Sequence, residues 1–386
     1  MGGSAQNTFL TLLHLPSRKY DLTLIMGPSA LSVSSSSHEK AALEAMLRSL
    51  RAKGVRIIEM EQLVRSISPW KDLKALLSLT VLLKRLRPQG VHTHTSKAGF
   101  IGRIAARLAS IPWVVHTPHG HVFWGHFGPA ASWIFFQMER FACRITSHLV
   151  ALTSGEANDY IRLGVMDRRR ISVIPSGVPV ERFSSFSGDI RRKRIELGIA
   201  EGAIVVGFVG WLWPVKGVRF LLQAMTTVMR NNPAVYLVLV GQGGEEPVLR
   251  AMAAAEGLSE RILFPGWRPD VQDLLHCFDL LVLPSLNEGM GRVLVEAMAA
   301  GLPVIGTQVG GIPDLIKHEE NGLLVPPADA DALEKAVSRL VEDPGERRIM
   351  GEKGQAACPL FSVEVMVDKI GEVYERMMKI GESVNR

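Results

Sequence analysis

The stretch that decides the fold is residues 279–316, DLLVLPSLNEGMGRVLVEAMAAGLPVIGTQVGGIPDLI. It begins with a short apolar run at residues 279–283, which predicts a buried strand that ends at Pro284. After a loop, apolar and small residues recur at helical spacing as far as Gly301. A strand, a glycine turn and a helix in this order form a site for phosphate, because the first amides of a helix lack internal partners and carry partial positive charge.

Two glycines and two carboxylates surround the start of that helix. Gly289 and Gly291 allow a diphosphate to approach the main chain closely, and Glu288 and Glu296 lie before and within the helix. With a rise of about 1.5 Å per residue, Glu296 is predicted to lie about 7 Å along the helix from Gly291. One carboxylate can then face a sugar hydroxyl on one side of the diphosphate, and the other can face a ribose on the opposite side.

The segment PSLNEGMGRVLVEAMAAGLPVI, in which seven residues separate Glu288 from Glu296, resembles the signature of the retaining GT-B glycosyltransferases of family 4. The resemblance covers almost the whole chain. It implies an α/β fold with two Rossmann-like, doubly wound domains that face each other across a cleft. It also implies that Glu288 contacts the donor sugar, Glu296 the nucleotide ribose, and the turn Gly289-Met290-Gly291 the donor diphosphate.

The resemblance divides the chain into an acceptor-side domain at residues 1–178, a nucleotide-sugar-binding domain at residues 179–360, and a final helix at residues 361–386 that returns to the first domain. Alternating strand and helix patterns agree, since such alternation is typical of parallel sheets flanked by helices. The predicted strands are residues 22–26, 55–58, 91–93, 113–115, 149–152, 203–209, 235–240, 262–264, 279–283 and 303–305.

The first residues, MGGSAQNTFLTLLHL, predict a glycine turn that opens directly into an amphipathic helix. In the family a hydrophobic strand precedes this turn, and Gly2 and Gly3 would add backbone donors to the diphosphate. That strand is central in a doubly wound sheet, so its absence would leave the edges of two neighbouring strands without a partner. We therefore expect a true start upstream of Met1, which the intact mass of the native protein tests.

His119 is the predicted catalytic residue of the first domain. It lies in Thr-Pro-His-Gly at residues 117–120, which follows an apolar strand and resembles the family's T-x-H segment. The resemblance implies that this imidazole hydrogen-bonds the donor sugar near the reacting carbon. Weaker candidates, assigned to structural or acceptor-side roles, are His116, His121 and His126.

Lys216 is the predicted cation at the diphosphate. The loop at residues 207–217 resembles the family's G-R-x-x-x-x-K-G and delivers this lysine at the start of a helix. The family's arginine position is Trp211 here, and Arg292 is predicted to supply the missing guanidinium, since arginine suits bidentate phosphate contacts. Trp267 lies in a Gly-Trp-Arg-Pro loop that resembles the family's base-bracketing loop.

No metal and no cofactor are expected. Six of the eleven histidines fall within residues 92–126, and His92 and His94 share one face of a strand, but no third ligand accompanies them. The D-A-D at residues 329–331 opens a helix, where an N-cap explains it. The three cysteines, Cys143, Cys277 and Cys358, lack the spacing of a zinc site or a disulfide framework, which suits a reducing cytoplasm.

Charge is distributed unevenly along the chain. Residues 1–181 hold 22 Lys and Arg against 11 Asp and Glu, a net +11, whereas the remainder holds 22 against 27, a net −5. The basic half is suited to bind an anionic membrane surface or a phosphate-carrying lipid acceptor. Nucleic acid is not expected as a partner, because no nucleic-acid-binding motif is present. The alternative is that the basic residues form a solvated surface that binds no partner. The basic half also contains a cluster of seven aromatic residues, which are predicted either to pack in the core or to face a membrane or a lipid acceptor. They are Phe123, Trp124, Phe127, Trp133, Phe135, Phe136 and Phe141.

The sequence thus predicts a retaining glycosyltransferase that moves a sugar from a nucleotide-diphospho-sugar, UDP in preference to GDP, to a glycan or lipid-linked acceptor of cell-envelope or exopolysaccharide synthesis. It would be cytoplasmic or peripheral on the inner face of the membrane. A GT-B nucleotide-sugar epimerase and a non-catalytic sugar-nucleotide-binding scaffold are the alternatives. Incubation with UDP-GlcNAc alone separates the epimerase from the transferase.

Overall fold

The computed structural model describes residues 3–28, 37–64, 66–120, 128–186 and 188–384 of the 386-residue chain. Contacts divide the chain into two compact units. The first unit contains residues 1–177 together with residues 363–386, and the second contains residues 178–362.

The first unit alternates strands and helices. Its strands are β1 Thr23–Met26, β2 Arg56–Glu59, β3 Gly90–His94, β4 Trp113–Thr117, β5 His148–Ala151 and β6 Ile171–Val173. Its helices, apart from the last one of the chain, are α1 Gly3–His14, α2 Ser37–Ala52, α3 Pro69–Leu86, α4 Ser96–Leu108, α5 Pro129–Arg144 and α6 Ser154–Arg162.

The strands of the first unit form two parallel sheets. β1 pairs with β2, and β3, β4, β5 and β6 lie side by side in chain order. Within the described ranges no strand joins the two sheets. The element before β1 is helix α1, which offers no ladder hydrogen bonds to β1 or β3, so the pairing is interrupted there.

Helix α4 contacts both α3 and α5. Buried residues of α3, such as Ala75 and Leu79, share a core cluster with Ile101 and Ala105 of α4 and with Val114 of β4. The crossovers β3–α4–β4 and β4–α5–β5 join adjacent parallel strands, and such crossovers are right-handed, which places α4 and α5 on the same face of the sheet. Arg103 of α4 and Glu139 of α5 form a bidentate ion pair of 2.9 and 2.6 Å between these helices.

The second unit is a single doubly wound sheet. Its strands are β7 Ile204–Val209, β8 Val235–Val240, β9 Ile262–Gly266, β10 Leu280–Leu283, β11 Val304–Thr307 and β12 Gly322–Val325. Its helices are α7 Val180–Ser184, α8 Ile190–Glu196, α9 Val218–Asn231, α10 Glu246–Ala255, α11 Val271–Leu275, α12 Arg292–Ala299, α13 Ile312–Leu315, α14 Ala330–Glu342 and α15 Pro344–Ala357. The last helix, α16 Val363–Val384, belongs to the first unit and contacts α1.

The six strands of the second unit are parallel in the order β12-β11-β10-β7-β8-β9. From β7 the chain first builds outward through β8 and β9, and from β10 it builds outward on the other side. The order of the strands therefore reverses between β7 and β10. In open α/β sheets, ligands bind beyond the carboxyl ends of the strands at such a switch point.

None of the helices in the described ranges has the length and apolar character needed to cross a lipid bilayer.

Candidate active site

The switch point of the second unit carries two of the charged residues predicted to hold a donor. Lys216 lies in the loop after β7, and Glu288 lies in the loop after β10. Lys216 Nζ donates to Glu288 Oε2 at 2.5 Å, and the two side chains are 21% and 15% exposed. Residues 72 positions apart thus form a partly buried ion pair at the carboxyl edge of the sheet.

Close backbone contact between the two loops explains this pairing. Gly217 has a φ of +65°, and a Cβ atom there would lie 2.1 Å from the carbonyl oxygen of Pro284. The amide of Leu286 donates to the carbonyl of Val215 at 2.8 Å. A glycine after Lys216 is therefore required for the loop after β7 to lie directly against the loop after β10.

Helix α12 begins directly after the second loop. Gly291 precedes it with a φ of +82°, and a Cβ atom there would lie 3.1 Å from Leu283 and 3.2 Å from Leu294. Among the described residues, no side chain caps this end of the helix by a hydrogen bond. The glycine turn and uncapped amides predicted from the sequence are confirmed, and their partial positive charge can accept an anion.

Arg292 and Glu296 lie one turn apart on α12. Burial raises the pKa of Glu296, an effect that the nearby Arg292 and Arg182 guanidinium groups partly offset. Burial likewise lowers the pKa of Arg292, and the charge of Glu296 opposes this. The two side chains thus form a desolvated pair of opposite charge in the first two turns of the helix. A phosphate contact by Arg292 and a ribose contact by Glu296 stay predictions.

Two further contacts support Glu288, one within its own loop and one from the loop after β11, and the sequence interpretation missed both. Ser285 Oγ donates to Glu288 Oε2 at 3.2 Å. The loop after β11 presses on the Glu288 backbone, since a Cβ atom on Gly310 would lie 1.7 Å from the Glu288 carbonyl and the amide of Gly311 donates to that carbonyl at 3.3 Å. The Gly-Gly pair at residues 310–311, a few residues after a predicted strand, was the available signal.

The other residues predicted for the second unit lie near the ends of its strands. Trp211 follows β7 and is half-buried, and Trp267 follows β9, whose last residue Gly266 has a φ of +72°. Asp329 caps α14 by accepting the amide of Ala332 at 2.9 Å, so the N-cap interpretation of the D-A-D segment is confirmed.

The first unit collects histidines at the carboxyl ends of β3 and β4. His94 Nδ1 and His119 Nε2 are 3.0 Å apart, and the His92 and His94 rings are 4.3 Å apart. Burial lowers the pKa of His94 to about 4, so this imidazole is neutral at pH 7. One of the two facing nitrogens donates to the other, and this hydrogen bond helps to orient the His119 ring.

The neighbouring histidines have structural partners. His92 bonds to the Tyr374 hydroxyl at 2.6 Å and to Thr117 Oγ1 at 2.8 Å, and burial lowers its pKa well below the usual value. His116 is buried and bonds to Thr93 Oγ1 at 2.9 Å. Its burial and this hydrogen bond fit the structural one of the two roles predicted for it.

Glu156 holds the turn that carries His119, and the sequence interpretation missed it. Its two carboxylate oxygens accept the amides of Gly120 at 3.0 Å and Leu152 at 2.8 Å. His119 itself has a φ of +61°, a strained conformation for a residue with a side chain, which its surroundings must maintain. Burial raises the pKa of Glu156 to about 7. The signal was weak, because a Thr-x-x-Glu capping box already accounts for a glutamate at this position.

Several predicted residues lie outside the described residues: Gly2, His121, His126, Phe123, Trp124 and Phe127. Gly3 is the first residue of α1. Of the aromatics, Phe136 packs in a core cluster, whereas Trp133 and Phe141 are exposed. Within the ranges that are described, no group of three or more His, Cys, Asp or Glu side chains is arranged to hold a metal ion. The expectation of no metal and no cofactor stays a prediction.

Comparisons with known proteins bear on both halves of the chain. The model of the glycosyl transferases group 1 family matches residues 189–357, and that of a glycosyl transferase 4-like domain matches residues 2–177. The chain is 36% identical over 329 residues to the UDP-Gal:alpha-D-GlcNAc-diphosphoundecaprenol alpha-1,3-galactosyltransferase of Escherichia coli, an alignment that covers 84% of each protein. It is 31% identical to a D-inositol 3-phosphate glycosyltransferase of Salinispora tropica over 74% of this chain and 63% of that one.

Solved structures share the fold. Anabaena HepE in complex with UDP superimposes with a TM-score of 0.79 at 23% identity, covering 97% of this chain and 96% of that one. A glycosyltransferase from Rickettsia africae superimposes with a TM-score of 0.80 at 19% identity, covering 98% and 96%. From its two matching family models, its relatives and its fold, this chain belongs to the group 1 glycosyltransferases, enzymes of the GT-B fold.

Proposed function

We propose that this chain is a retaining glycosyltransferase that moves a sugar from a UDP-sugar to a lipid-linked acceptor. The observation that carries the proposal is the Lys216–Glu288 ion pair, at the strand-order reversal between β7 and β10 and directly before the uncapped end of α12. A cation, an acceptor carboxylate and a row of amides at one strand edge match the phosphate and hydroxyl groups of a nucleotide-sugar.

In this proposal each group of the second unit takes one part of the donor. Lys216 and the amides after Gly289 bind the diphosphate, Glu288 accepts a hydroxyl of the sugar, and Glu296 accepts a ribose hydroxyl. Arg292 lies at the start of α12 and adds positive charge where the diphosphate would bind. A bound diphosphate would compete with the Glu288 carboxylate for Lys216, so donor binding releases Glu288 to accept from the sugar.

Two relatives favour UDP as the nucleotide. The name of the E. coli protein specifies UDP-Gal as its donor, and Anabaena HepE has been solved with UDP and with UDP-glucose. We therefore propose a UDP-hexose as the donor here.

The reaction needs no protein nucleophile. The anomeric carbon–oxygen bond to the diphosphate breaks as the acceptor hydroxyl attacks the same face of the sugar, and the hydroxyl proton passes to the departing phosphate oxygen, which yields UDP and the new glycoside. Lys216 and the helix amides stabilise the charge that develops on the diphosphate, a preorganised electrostatic effect. His119, oriented by His94 and by the Glu156-held turn, would bond to the donor sugar.

A lipid-linked acceptor is the second part of the proposal. The acceptor named for the E. coli relative is a GlcNAc joined through a diphosphate to undecaprenol. The basic first half of this chain, net +11 over residues 1–181, suits both an acceptor diphosphate and an anionic membrane surface. We accordingly propose that the protein acts at the inner face of the cell membrane.

A transfer assay tests the proposal. UDP-galactose, UDP-glucose, UDP-GlcNAc and their GDP counterparts would each be incubated with a GlcNAc-diphospholipid of short chain, and also without acceptor. The proposal expects an α-linked disaccharide-lipid from a UDP-sugar, lost in Glu288→Gln and retained in Glu352→Gln, an exposed glutamate of the same unit. Conversion of a UDP-sugar without acceptor would instead indicate an epimerase, and unchanged transfer in Glu288→Gln would overturn the assignment of the site.

A further inference from the structure

Helix α3 is apolar on two opposite faces, and the described residues of the first unit cover only one of them. Ala75, Leu79 and Leu83 are buried in the core shared with α4. Trp70 and Leu77 lie on the other side with exposed fractions of 78% and 57%. A helix of a globular unit usually places polar residues on its outward face, so this outer stripe needs a partner.

The exposed residues follow helical spacing. On α3 they are Trp70, Leu73, Leu77 and Val81, separated by three, four and four positions. Helix α5 adds Trp133, 64% exposed, and Phe141, 50% exposed. These side chains lie on two helices of one unit, and α4 contacts both of those helices. We call this set of six residues the outer apolar face.

Apart from two ion pairs, the charged side chains of α3, α4 and α5 are of one sign. The two acidic residues of α3, α4 and α5 are each paired with a base, Asp72 with Lys97 at 2.5 Å and Glu139 with Arg103 at 2.6 Å. The other charged side chains of the three helices are all basic: Lys71, Lys74, Lys84, Arg85, Arg107, Arg140 and Arg144. Exposed tryptophans and aliphatic residues bordered by lysine and arginine form the pattern of an interfacial helix.

We propose that the outer apolar face is a docking surface for an anionic lipid bilayer, into which Trp70, Leu77 and Trp133 insert while the surrounding basic residues bind lipid head groups. The inference deepens the proposed function, because a membrane-bound acceptor must be met at the bilayer surface. A second copy of this chain fits less well, since it would bring seven basic residues of each copy together without acids to pair them.

Vesicle flotation tests the proposal with the full-length protein. Vesicles of phosphatidylcholine alone and of phosphatidylcholine with phosphatidylglycerol would be compared at low and high salt. We expect binding to the anionic vesicles, weakened by salt, since each basic residue near the surface adds to the attraction. Trp70→Ser and Leu77→Ser should each reduce partitioning by about tenfold. Lys71→Glu with Lys74→Glu should reduce it on anionic vesicles only.

Ile195→Ser is the matched control. Ile195 is 67% exposed on α8 of the second unit, so its replacement removes a comparable apolar side chain outside the proposed surface and should leave flotation unchanged. The thermal midpoint of each variant checks its folding. Transfer to a short, soluble acceptor should be unaffected by Trp70→Ser, which separates this inference from the proposed function.

Two results would overturn the inference. One is the absence of binding to anionic vesicles by the wild-type protein. The other is equal flotation of wild type, Trp70→Ser and Leu77→Ser. If sedimentation shows a dimer that the Trp70→Ser variant dissociates and no vesicle binding is found, the surface serves a second copy instead.

Discussion

Replacing Glu288 by Gln should tighten UDP binding while it impairs sugar transfer. Lys216 Nζ donates to Glu288 Oε2 at 2.5 Å, in an ion pair whose side chains are 21% and 15% exposed. A diphosphate must displace that carboxylate. Without the carboxylate, UDP binding should become more favourable by about 1 to 2 kcal/mol, the scale of a partly solvated charge-assisted hydrogen bond. The Kd of UDP should therefore fall by about fivefold to thirtyfold.

Lys216→Met should have the opposite effect. It removes the contact to the diphosphate itself, which costs about 1.5 to 3 kcal/mol and weakens UDP by about tenfold or more. Transfer should fall in both variants, in Glu288→Gln on the order of a hundredfold because the sugar contact is lost. Calorimetric titration with UDP measures both affinities, with Glu352→Gln as the control. If Glu288→Gln weakens UDP as much as Lys216→Met does, the competition between carboxylate and diphosphate is refuted.

Three further predictions concern neighbouring groups. Arg292→Ala should weaken UDP about tenfold if this guanidinium replaces the one lost at Trp211, and unchanged affinity and turnover in the same titration and transfer assay would contradict that role. Glu296→Ala should weaken UDP but leave inorganic pyrophosphate binding unchanged, because only the ribose contact is lost; equal weakening of both ligands would place Glu296 at the diphosphate. The pKa of Glu156 is raised from 4.5 to about 7, so between these pH values the folded protein keeps a proton on Glu156 that the unfolded chain has released. The contribution of this proton to the free energy of unfolding is complete at low pH and is lost as pH rises through 7. Relative to Glu156→Gln, wild type should therefore lose up to about 3 kcal/mol of unfolding free energy between about pH 5 and pH 8, and parallel denaturant curves at both pH values would sink this prediction.

Residues close in sequence to a strand end were the most predictable part of the site. The run at residues 279–283 gives β10, and the glycines that follow give the turn and the uncapped start of α12. Here local chemistry decides the structure, because a buried apolar strand and a glycine with positive φ each have few alternatives.

Contacts between loops that are distant in sequence were harder to predict. Lys216 and Glu288 were each predicted to bind donor groups, but nothing local indicates that they pair with each other, since this follows from the adjacency of β7 and β10. Glu156 was missed because its role depends on the Gly120 amide, 36 positions away. Strand β12, a four-residue run at Gly322–Val325, was also missed, because short apolar runs do not separate strand from loop.

The outer apolar face was hidden for a different reason. Helix α3 carries one buried and one exposed apolar stripe on opposite sides. When both sides of a helix are apolar, the periodicity of the sequence does not indicate which stripe faces the core. Only the packing of Leu79 and Leu83 against α4 identifies the stripe of Trp70 and Leu77 as the outward one.

The most direct test of the account is a crystal structure of the protein with a UDP-sugar bound. We expect the diphosphate oxygens within hydrogen-bonding distance of Lys216 Nζ and of the amides that begin α12, with Glu296 at the ribose and Glu288 turned from Lys216 toward the sugar. A diphosphate bound away from the carboxyl ends of β7 and β10, or a Lys216–Glu288 pair still intact beside the bound donor, would contradict the account.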